Sequence, residues 1–311
     1  VVILFISKKE IPGKIISANF ALGVINKSLH TIHSHFVVSF NISIVLYNPR
    51  WQQELVPLLE ELLKVQSLRT IYLVDNSPQR ADTIPIRSKK IKYIFVGKNI
   101  GYGSAHNIAI RETIYQRLSH HLVINSDIQV DARDLESLYD FLLSHNEVGS
   151  LMPKVINPNG DMQYLCKLLP SPIDVFGRRF LPSSWMRGRN ARYELRDADY
   201  NRPMNVPYLS GCFMFLRTEA VLKARLFDER FFMYPEDIDL TRRIHRDFLT
   251  LYYPSVTIVH NHAKESYHNF RLLWIHCVNM CKYFNKWGWF FDRERRLVNK
   301  QVYDQLVSKG K

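Results

Sequence analysis

No apolar run in this 311-residue sequence reaches the roughly 18 residues that a bilayer-spanning helix needs. The longest, residues 1–6 and 36–47, fall well short. Cysteine is scarce. Cys166, Cys212, Cys277 and Cys281 show neither zinc-ligand spacing nor a dense disulfide framework, and they read as reduced thiols of a cytosolic protein. Cys277 and Cys281, four apart on a helical pattern, read as core packing. The first residue is Val1 rather than Met, and no charged n-region with a small-residue cleavage site follows it. Paired zinc ligands and aromatic RNP-type strands, the signatures of nucleic-acid binding, are also missing.

What is abundant is positive charge. Lys and Arg number 42 against 29 Asp and Glu, a formal net charge of +13. Such an excess suits nucleic acid, an anionic membrane surface or a phosphate-bearing substrate. With no nucleic-acid motif, lipid and phosphate remain. The length suits one large or two modest domains, and the 46% apolar content supports a substantial core.

Residues 1–35 carry no usable motif. Residues 36–47 (FVVSFNISIVLY) are a β-rich apolar run closed by Asn48-Pro49, which reads as a buried strand and a turn. Leu55, Leu58, Leu59, Leu62 and Leu63 then recur at helical spacing over residues 51–65. Strand-like runs follow at 70–74, 91–96 and 121–125, with helices expected at about 104–118 and 134–144. This alternation predicts an α/β sandwich with a mainly parallel sheet. Each strand runs into a polar or glycine-rich cluster, and in such sheets ligands sit beyond the carboxyl ends of the strands.

Pattern weakens over residues 153–207, where Arg178, Arg179, Arg187, Arg189 and Arg192 crowd a loop-like stretch. It reads either as a solvated basic surface or as a flap over phosphates or anionic lipid. Residues 206–216 return to strand with Ser210-Gly211 inside, where glycine marks a close backbone approach. Another strand, 250–259, runs into His260-Asn261-His262. Residues 270–291 are helical in pattern and rich in aromatics and Lys, as in an interfacial helix or a packed C-terminal one.

Four clusters carry chemistry. In residues 231–243 (FFMYPEDIDLTRR) an aromatic run meets Pro235, which suits a helix start, and then Glu236, Asp237 and Asp239. Asp239 and Arg243 are four apart and pair along one face. Asp237 and Asp239 point about 200° apart, so their jobs differ. Asp237 is the candidate proton acceptor for an incoming hydroxyl, against the plainer reading that all three are helix-start acids. Asp75, at a strand end in Val74-Asp75-Asn76-Ser77, can accept a nucleobase imide proton or tighten the turn. Residues 99–107 (NIGYGSAHN) place two glycines at a helix start, fit for an anion or a nucleoside, but form neither a Rossmann fingerprint nor a P-loop. Asn125-Ser126-Asp127 presents an acid at a strand tip, suited to a hard divalent cation on a diphosphate. His260 or His262 is its candidate partner.

Taken in order, SIVLYN (43–48), LVDNS (73–77), NIGYGSAHN (99–107), INSD (124–127), LSGCFMFLR (209–217) and FDERFFMYPEDIDLTRR (227–243) resemble the family 2 glycosyltransferases, in their bacterial rhamnosyltransferase-like branch. The resemblance covers about residues 40–285. It implies a GT-A fold over residues 36–265, with a nucleotide-sugar half (36–150) and an acceptor half (151–265), flanked by an extension (1–35) and C-terminal helices (266–311). It implies Asp237 as catalytic base, supported by Glu236, Asp239 and Arg243. Tyr47, Asn48, Asp75, Asn99, Gly101, Asn107, Ser126, Ser210 and Gly211 become the nucleotide-sugar contacts. Asp127 with His260, or His262 in its place, becomes the site for Mg²⁺ or Mn²⁺. Two departures stand out: Asn125 replaces the first acid of the family's D-x-D signature, and Leu226 precedes Phe227-Asp228 where relatives have glycine.

The implied activity is inverting transfer, with dTDP-rhamnose the expected donor. The acceptor is a polyprenyl-diphosphate-linked saccharide or growing polysaccharide such as O-antigen, at the inner face of the cytoplasmic membrane. A nucleotidyltransferase is the alternative, disfavoured because residues 47–51 (YNPRW) form no glycine-rich phosphate loop. An inactive sugar-binding scaffold is the other.

Overall fold

The computed structural model describes residues 36–261 and 270–307. The expected N-terminal extension, His262 and the last four residues lie outside them.

Strand β1 (Val37–Leu46) is the centre of the first half. It pairs in parallel with β2 (Leu68–Asp75) on one side and β4 (Leu118–Ile124) on the other, and β3 (Ile91–Phe95) extends the edge beyond β2. A π-helical turn, Trp51–Leu55, leads into α1 (Val56–Lys64). Helices α2 (Tyr102–Tyr115) and α3 (Ala132–Ser144) follow β3 and β4. The second half adds β5 (Ile128–Gln129), β6 (Val148–Ile156), β8 (Met204–Asn205), β10 (Phe213–Arg217) and β11 (Leu249–His260). The sheet order is β3-β2-β1-β4-β10-β6-β11-β5, with β8 on β11. Strand β10 runs antiparallel to both neighbours, while β6 and β11 pair in parallel.

Period-two alternation makes the layers. Ile42, Ile44, Leu122, Ile124, Phe213 and Phe215 share one core with Leu58, Leu62, Leu135 and Leu142 of α1 and α3. The opposite face carries Val123, Met214 and Leu216, against Ile110 of α2 and against α5 (Thr218–Lys223) and α6 (Glu236–Ile244). Polar residues within β1 lie on this second face. Ser43 Oγ sits 2.6 Å from His106 Nδ1 and 2.8 Å from His121 Nε2, and His121 Nδ1 is 2.7 Å from Thr113 Oγ1. Burial pushes both imidazoles below their usual range, so the network is neutral.

Several sequence expectations shift. Helix α2 ends at Tyr115, and Leu118 already opens β4 after a left-handed turn at Arg117 (φ 54°). The strand expected over 206–216 breaks at Ser210-Gly211 into β9 (Tyr208–Leu209) and β10. β9 pairs with the short β7 (Cys166–Lys167). Strand β6 goes unseen in the sequence because Pro153 interrupts it. In the sheet Pro153 faces Tyr253, where the β11 register skips to Thr257, so its missing N–H falls at a bulge. The basic stretch expected as loop contains α4 (Ser183–Tyr193), preceded by helical turns at Ile173–Gly177 and Arg178–Phe180.

The C-terminal pattern divides at Gly288 (φ 99°) into α7 (Phe270–Trp287) and α8 (Arg293–Leu306). The Asp292 side chain caps α8 by accepting from the Arg295 amide at 2.9 Å. Helix α7 buries Asn279, Met280, Tyr283 and Phe284. Cys277 and Cys281 are therefore not fully buried core residues: both are partly buried, on the stripe that also carries Phe270 and Trp274. Among the described residues no helix is long and apolar enough to cross a membrane.

Candidate active site

Strand order reverses between β1 and β4, since β2 and β3 lie on one side of β1 and β4 on the other. The crevice outside the carboxyl ends of two such strands is where α/β sheets bind ligands. A cavity of about 350 Å³ occupies it, lined by Tyr47 and Asn48 after β1, Asn76 after β2, Asn99 and Tyr102 at the start of α2, and Asn125, Ser126 and Asp127 after β4. Four sequence candidates, Tyr47, Asn48, Asn99 and Ser126, thus share one wall with Asp127.

The glycine turn is fixed by close approach. Gly101 has φ 92°, and a Cβ there would stand 2.4 Å from the carbonyl oxygen of Phe232. Asn99 Oδ1 accepts from the Gly101 amide at 3.0 Å, and Asn76 Nδ2 donates to the Gly101 carbonyl at 3.2 Å. The Tyr102 amide donates to Phe232 O at 3.0 Å, tying the turn to the loop before α6. Its phenol lies 2.9 Å from Asn125 Oδ1 and 2.8 Å from Gly211 O.

Gly211 carries the connection on. Its amide donates to Asp237 Oδ2 at 2.8 Å, Tyr208 O–H donates to the same oxygen at 3.4 Å, and the Ile238 amide donates to Asp237 Oδ1 at 2.7 Å. Burial dominates and raises the Asp237 carboxyl to about 6, against the Gly211 and Ile238 amides and the Lys167 charge, which lower it. Glu236 is 4% exposed, and its Oε2 has no hydrogen-bond partner among the described residues. Burial first, and Asp237 second, raise its carboxyl well above the usual range. Both carboxyls are thus raised, and Glu236, without a donor to its Oε2, is raised the further of the two. Tyr234, just before the helix, is held at φ 88°, a conformation costly for a side chain of that size.

Asp127 Oδ1 is 3.3 Å from His260 Nε2, and the Asp127 carbonyl accepts from the Asn261 amide at 3.0 Å. His260 Nδ1 lies 3.0 Å from Gln163 Oε1, which leaves Nε2 facing the acid. Burial lowers the imidazole, but Asp127 and Cys212 outweigh it and raise the group to about 10. Among the described residues no three His, Cys, Asp or Glu side chains gather into a metal cage. The donor set is the Asp127 carboxylate at the cavity wall, with the buried His260 imidazole behind it. That suits a cation whose other positions are filled by diphosphate oxygens and water, provided His260 gives up its proton.

Four candidates lie elsewhere than expected. Both oxygens of Asp75 are spent locally, Oδ1 on the Ser77 amide at 2.8 Å and Oδ2 on Tyr93 O–H at 2.5 Å; its neighbour Asn76 lines the cavity instead. Asn107 does not face the crevice: its amide holds the Phe227 backbone at both ends, N–H at 3.0 Å and C=O at 2.9 Å. Arg243 does pair with Asp239 (2.6 Å), but it also donates to the carbonyls of Ala224 and Leu226. It is a scaffold residue rather than a crevice one. Arg225 and Leu226 have φ 62° and 59°, so the guanidinium holds a left-handed turn in which glycine would be unstrained. Asp239 is turned away from Asp237, toward Arg243, Lys286 (2.6 Å) and Trp287 Nε1 (2.8 Å). Ser210 sits at the strand break without lining the crevice.

A second cavity of about 440 Å³ borders α6, with Tyr208, Tyr234, Ile238, Lys167 and His276 in its wall. The Lys167 ammonium stands 5.5 Å over the Tyr208 ring and is lowered first by burial and then by Arg178. Tyr102, Tyr208 and Lys167 were not picked out as site residues from sequence. Tyr102 had a signal, lying inside the quoted glycine motif; an isolated Lys beside Cys166 gave none.

The sequence signature described as "Glycosyl transferase family 2" matches residues 42–224. An N-acetylglucosaminyl-diphospho-decaprenol L-rhamnosyltransferase of Mycobacterium tuberculosis is 29% identical over 231 residues, 68% of this chain and 74% of that protein. A low-salt glycan biosynthesis hexosyltransferase of Haloferax volcanii is 22% identical over 212 residues, 68% of this chain and 64% of the other. Among solved structures, GalNAc-T7 with UDP, GalNAc and Mn²⁺ superposes with a TM-score of 0.50 at 14% identity. The match takes in 72% of this chain but only 44% of that one, a likeness of the GT-A fold alone.

Proposed function

This chain belongs to glycosyl transferase family 2, and from that premise we propose that it is an inverting enzyme that moves a sugar from a nucleotide-diphosphate donor to a lipid-linked saccharide. The donor occupies the crevice of Asp127, Asn76 and Asn99. The acceptor enters through the cavity behind Tyr208 and Ile238. Asp237 stands between them, and the observation that carries the reading is its carboxylate, anchored by the Gly211 amide and raised to about 6. At neutral pH it is ionised yet basic enough to take a proton.

Asp237 removes the acceptor hydroxyl proton as that oxygen bonds to the anomeric carbon. The bond from that carbon to the diphosphate oxygen breaks, and nucleoside diphosphate leaves. A single attack inverts the anomeric centre. Glu236, protonated, holds no competing charge beside the base. A divalent cation, Mg²⁺ or Mn²⁺, held by Asp127 and His260, would offset the charge on the leaving diphosphate. Lys167 offers a cation on the acceptor side, fit for a diphosphate-linked lipid.

The likeness to the mycobacterial enzyme, named for L-rhamnose transfer to N-acetylglucosaminyl-diphospho-decaprenol, supports rhamnose as the sugar and a polyprenyl-diphosphate saccharide as the acceptor; on our reading dTDP carries the sugar, in cell-surface polysaccharide synthesis at the inner face of the membrane. On this reading residues 36–150 serve the nucleotide sugar, 151–265 the acceptor, and 266–311 support both. The test is a panel of dTDP- and UDP-sugars with Mn²⁺, scored by nucleoside diphosphate release. Release highest with dTDP-rhamnose is expected; none from any donor overturns the proposal.

A further inference from the structure

We propose that a third cavity, between α4 and α8, binds a phosphate-class oxyanion, free or carried on a lipid headgroup. The site does not depend on the transferase reading, and it shares no wall residue with the donor crevice.

The cavity measures about 280 Å³. Its wall holds Arg189 and Arg192 from α4 and Arg295, Arg296 and Lys300 from α8, against one acid, Asp174. Arg189 is paired with that acid at 2.6 Å, and the Ser171 amide donates to its other oxygen at 2.7 Å. The remaining four cations make no ion pair among the described residues, because the acids around them are spent elsewhere. Asp292 is held by Arg242, Glu294 by Arg242 and Arg246, and Glu194 by Arg178 and Arg196.

The frame brings like charges together. Arg189 and Arg192 are three apart on α4, Arg296 and Lys300 four apart on α8, so each pair shares a helix face. The Arg192 guanidinium lies 4.5 Å over the Tyr303 ring of α8. Asn299 of α8 clasps the Leu169 backbone, donating to its carbonyl and accepting from its amide, both at 2.8 Å. Asp174 and Tyr193 also belong to the wall of the acceptor cavity, so an occupant here braces that wall.

Arg296 and Lys300 alone would be a solvated helix face. Arg295 sets the place apart, because it is only 6% exposed. Of its five N–H donors it gives three, to the carbonyls of Pro170 (3.2 Å), Trp289 (3.1 Å) and Phe290 (3.5 Å). Nε–H and one N–H of NH1 go to no acceptor among the described residues. Burial lowers this guanidinium and Asp292 acts against that from beyond bonding reach of it. A buried charge with donors to spare is costly until an acceptor meets it. The planar fork matches phosphate oxygens, and four cations suit a dianion or a diphosphate better than a single carboxylate.

The test is calorimetric titration of the full chain, with EDTA present and ionic strength held constant by NaCl. One arm uses inorganic pyrophosphate, the other short-chain phosphatidic acid below its micelle concentration. Beside the parent stand Arg296→Gln/Lys300→Gln, two exposed positions, and Asp127→Asn in the donor crevice. The parent should bind and its Tm should rise with the probe. Affinity should fall roughly tenfold or more in the double variant and stay unchanged in Asp127→Asn. Binding of either probe supports the site, and the tighter one names the source, free anion or headgroup. Without a probe the double variant should be at least as stable as the parent, since like charges are removed, which separates lost binding from misfolding. No binding of either probe, unchanged affinity in the double variant, or loss in Asp127→Asn instead would overturn the proposal. Sugar transfer is not a readout here, so failure of the transferase reading leaves this result standing.

Discussion

The Gly211 amide donates to Asp237 Oδ2 at 2.8 Å, across a break in the strand that precedes β10. A Cβ at residue 211 would meet Asp237 Cβ at 3.2 Å, tighter than an ordinary contact. The glycine and the acid thus specify each other: one clears the approach, the other takes the exposed donor. Asp237, the proposed base, is held chiefly by two backbone amides.

The raised carboxyl of Asp237 gives the rate a pH dependence of definite sign. Below about 6 the group is protonated and cannot act as a base; above it the carboxylate forms. The value of kcat/KM should therefore climb with pH through about 6, by roughly tenfold between pH 5 and 7, and then level off. The same shift makes the folded state bind more protons between the ordinary carboxylate range and 6, so this group costs stability as pH rises through that window. A flat profile from 5 to 8 contradicts Asp237 as base.

Tyr102 joins the two sides of the site through one hydroxyl, near Asn125 Oδ1 and Gly211 O. Tyr102→Phe keeps the ring against His106 (centroids 4.3 Å apart) but removes the bridge. A fall of about tenfold or more in kcat is expected, with smaller change in donor affinity. Steady-state kinetics beside donor titration decide it; loss confined to donor affinity would place Tyr102 on the nucleotide instead.

The C-terminal helices are locked on by a buried charge pair. Arg242 NH1 and NH2 donate to the two oxygens of Asp292 at 2.7 and 2.8 Å, and the guanidinium lies 4.0 Å over the Trp287 ring. Asp292→Ala strands the arginine and uncaps α8, which should cost about 3–5 kcal/mol. Urea denaturation measures it. A loss under about 1 kcal/mol would show that Glu294, which also accepts from Arg242 at 2.6 Å, suffices alone.

Strand and helix periodicity carried the first half of the fold, because β1, β2 and α1 each bury one apolar set that repeats on schedule. Strand β6 escaped because Pro153 is tolerated only through a bulge in β11, which lies about a hundred residues further on. Helix α4 escaped because its face is arginine and serine, with only Met186 and Tyr193 buried. The site was legible where a motif sits on a strand end, as at Asn48, Asn99 and Asp127. It was not legible where a polar side chain serves the scaffold. Asn107 and Arg243 hold loops whose left-handed turns no local pattern announces, and Asp75 is consumed by Tyr93, a contact that exists only once β2 and β3 pair.

The proposed transfer requires Asp237 as proton acceptor, and the most direct measurement is sugar transfer by Asp237→Asn, with donor affinity measured on the same preparation. Transfer should fall by about a thousandfold or more while donor affinity stays within roughly threefold. Near-parental turnover in that variant would contradict the account.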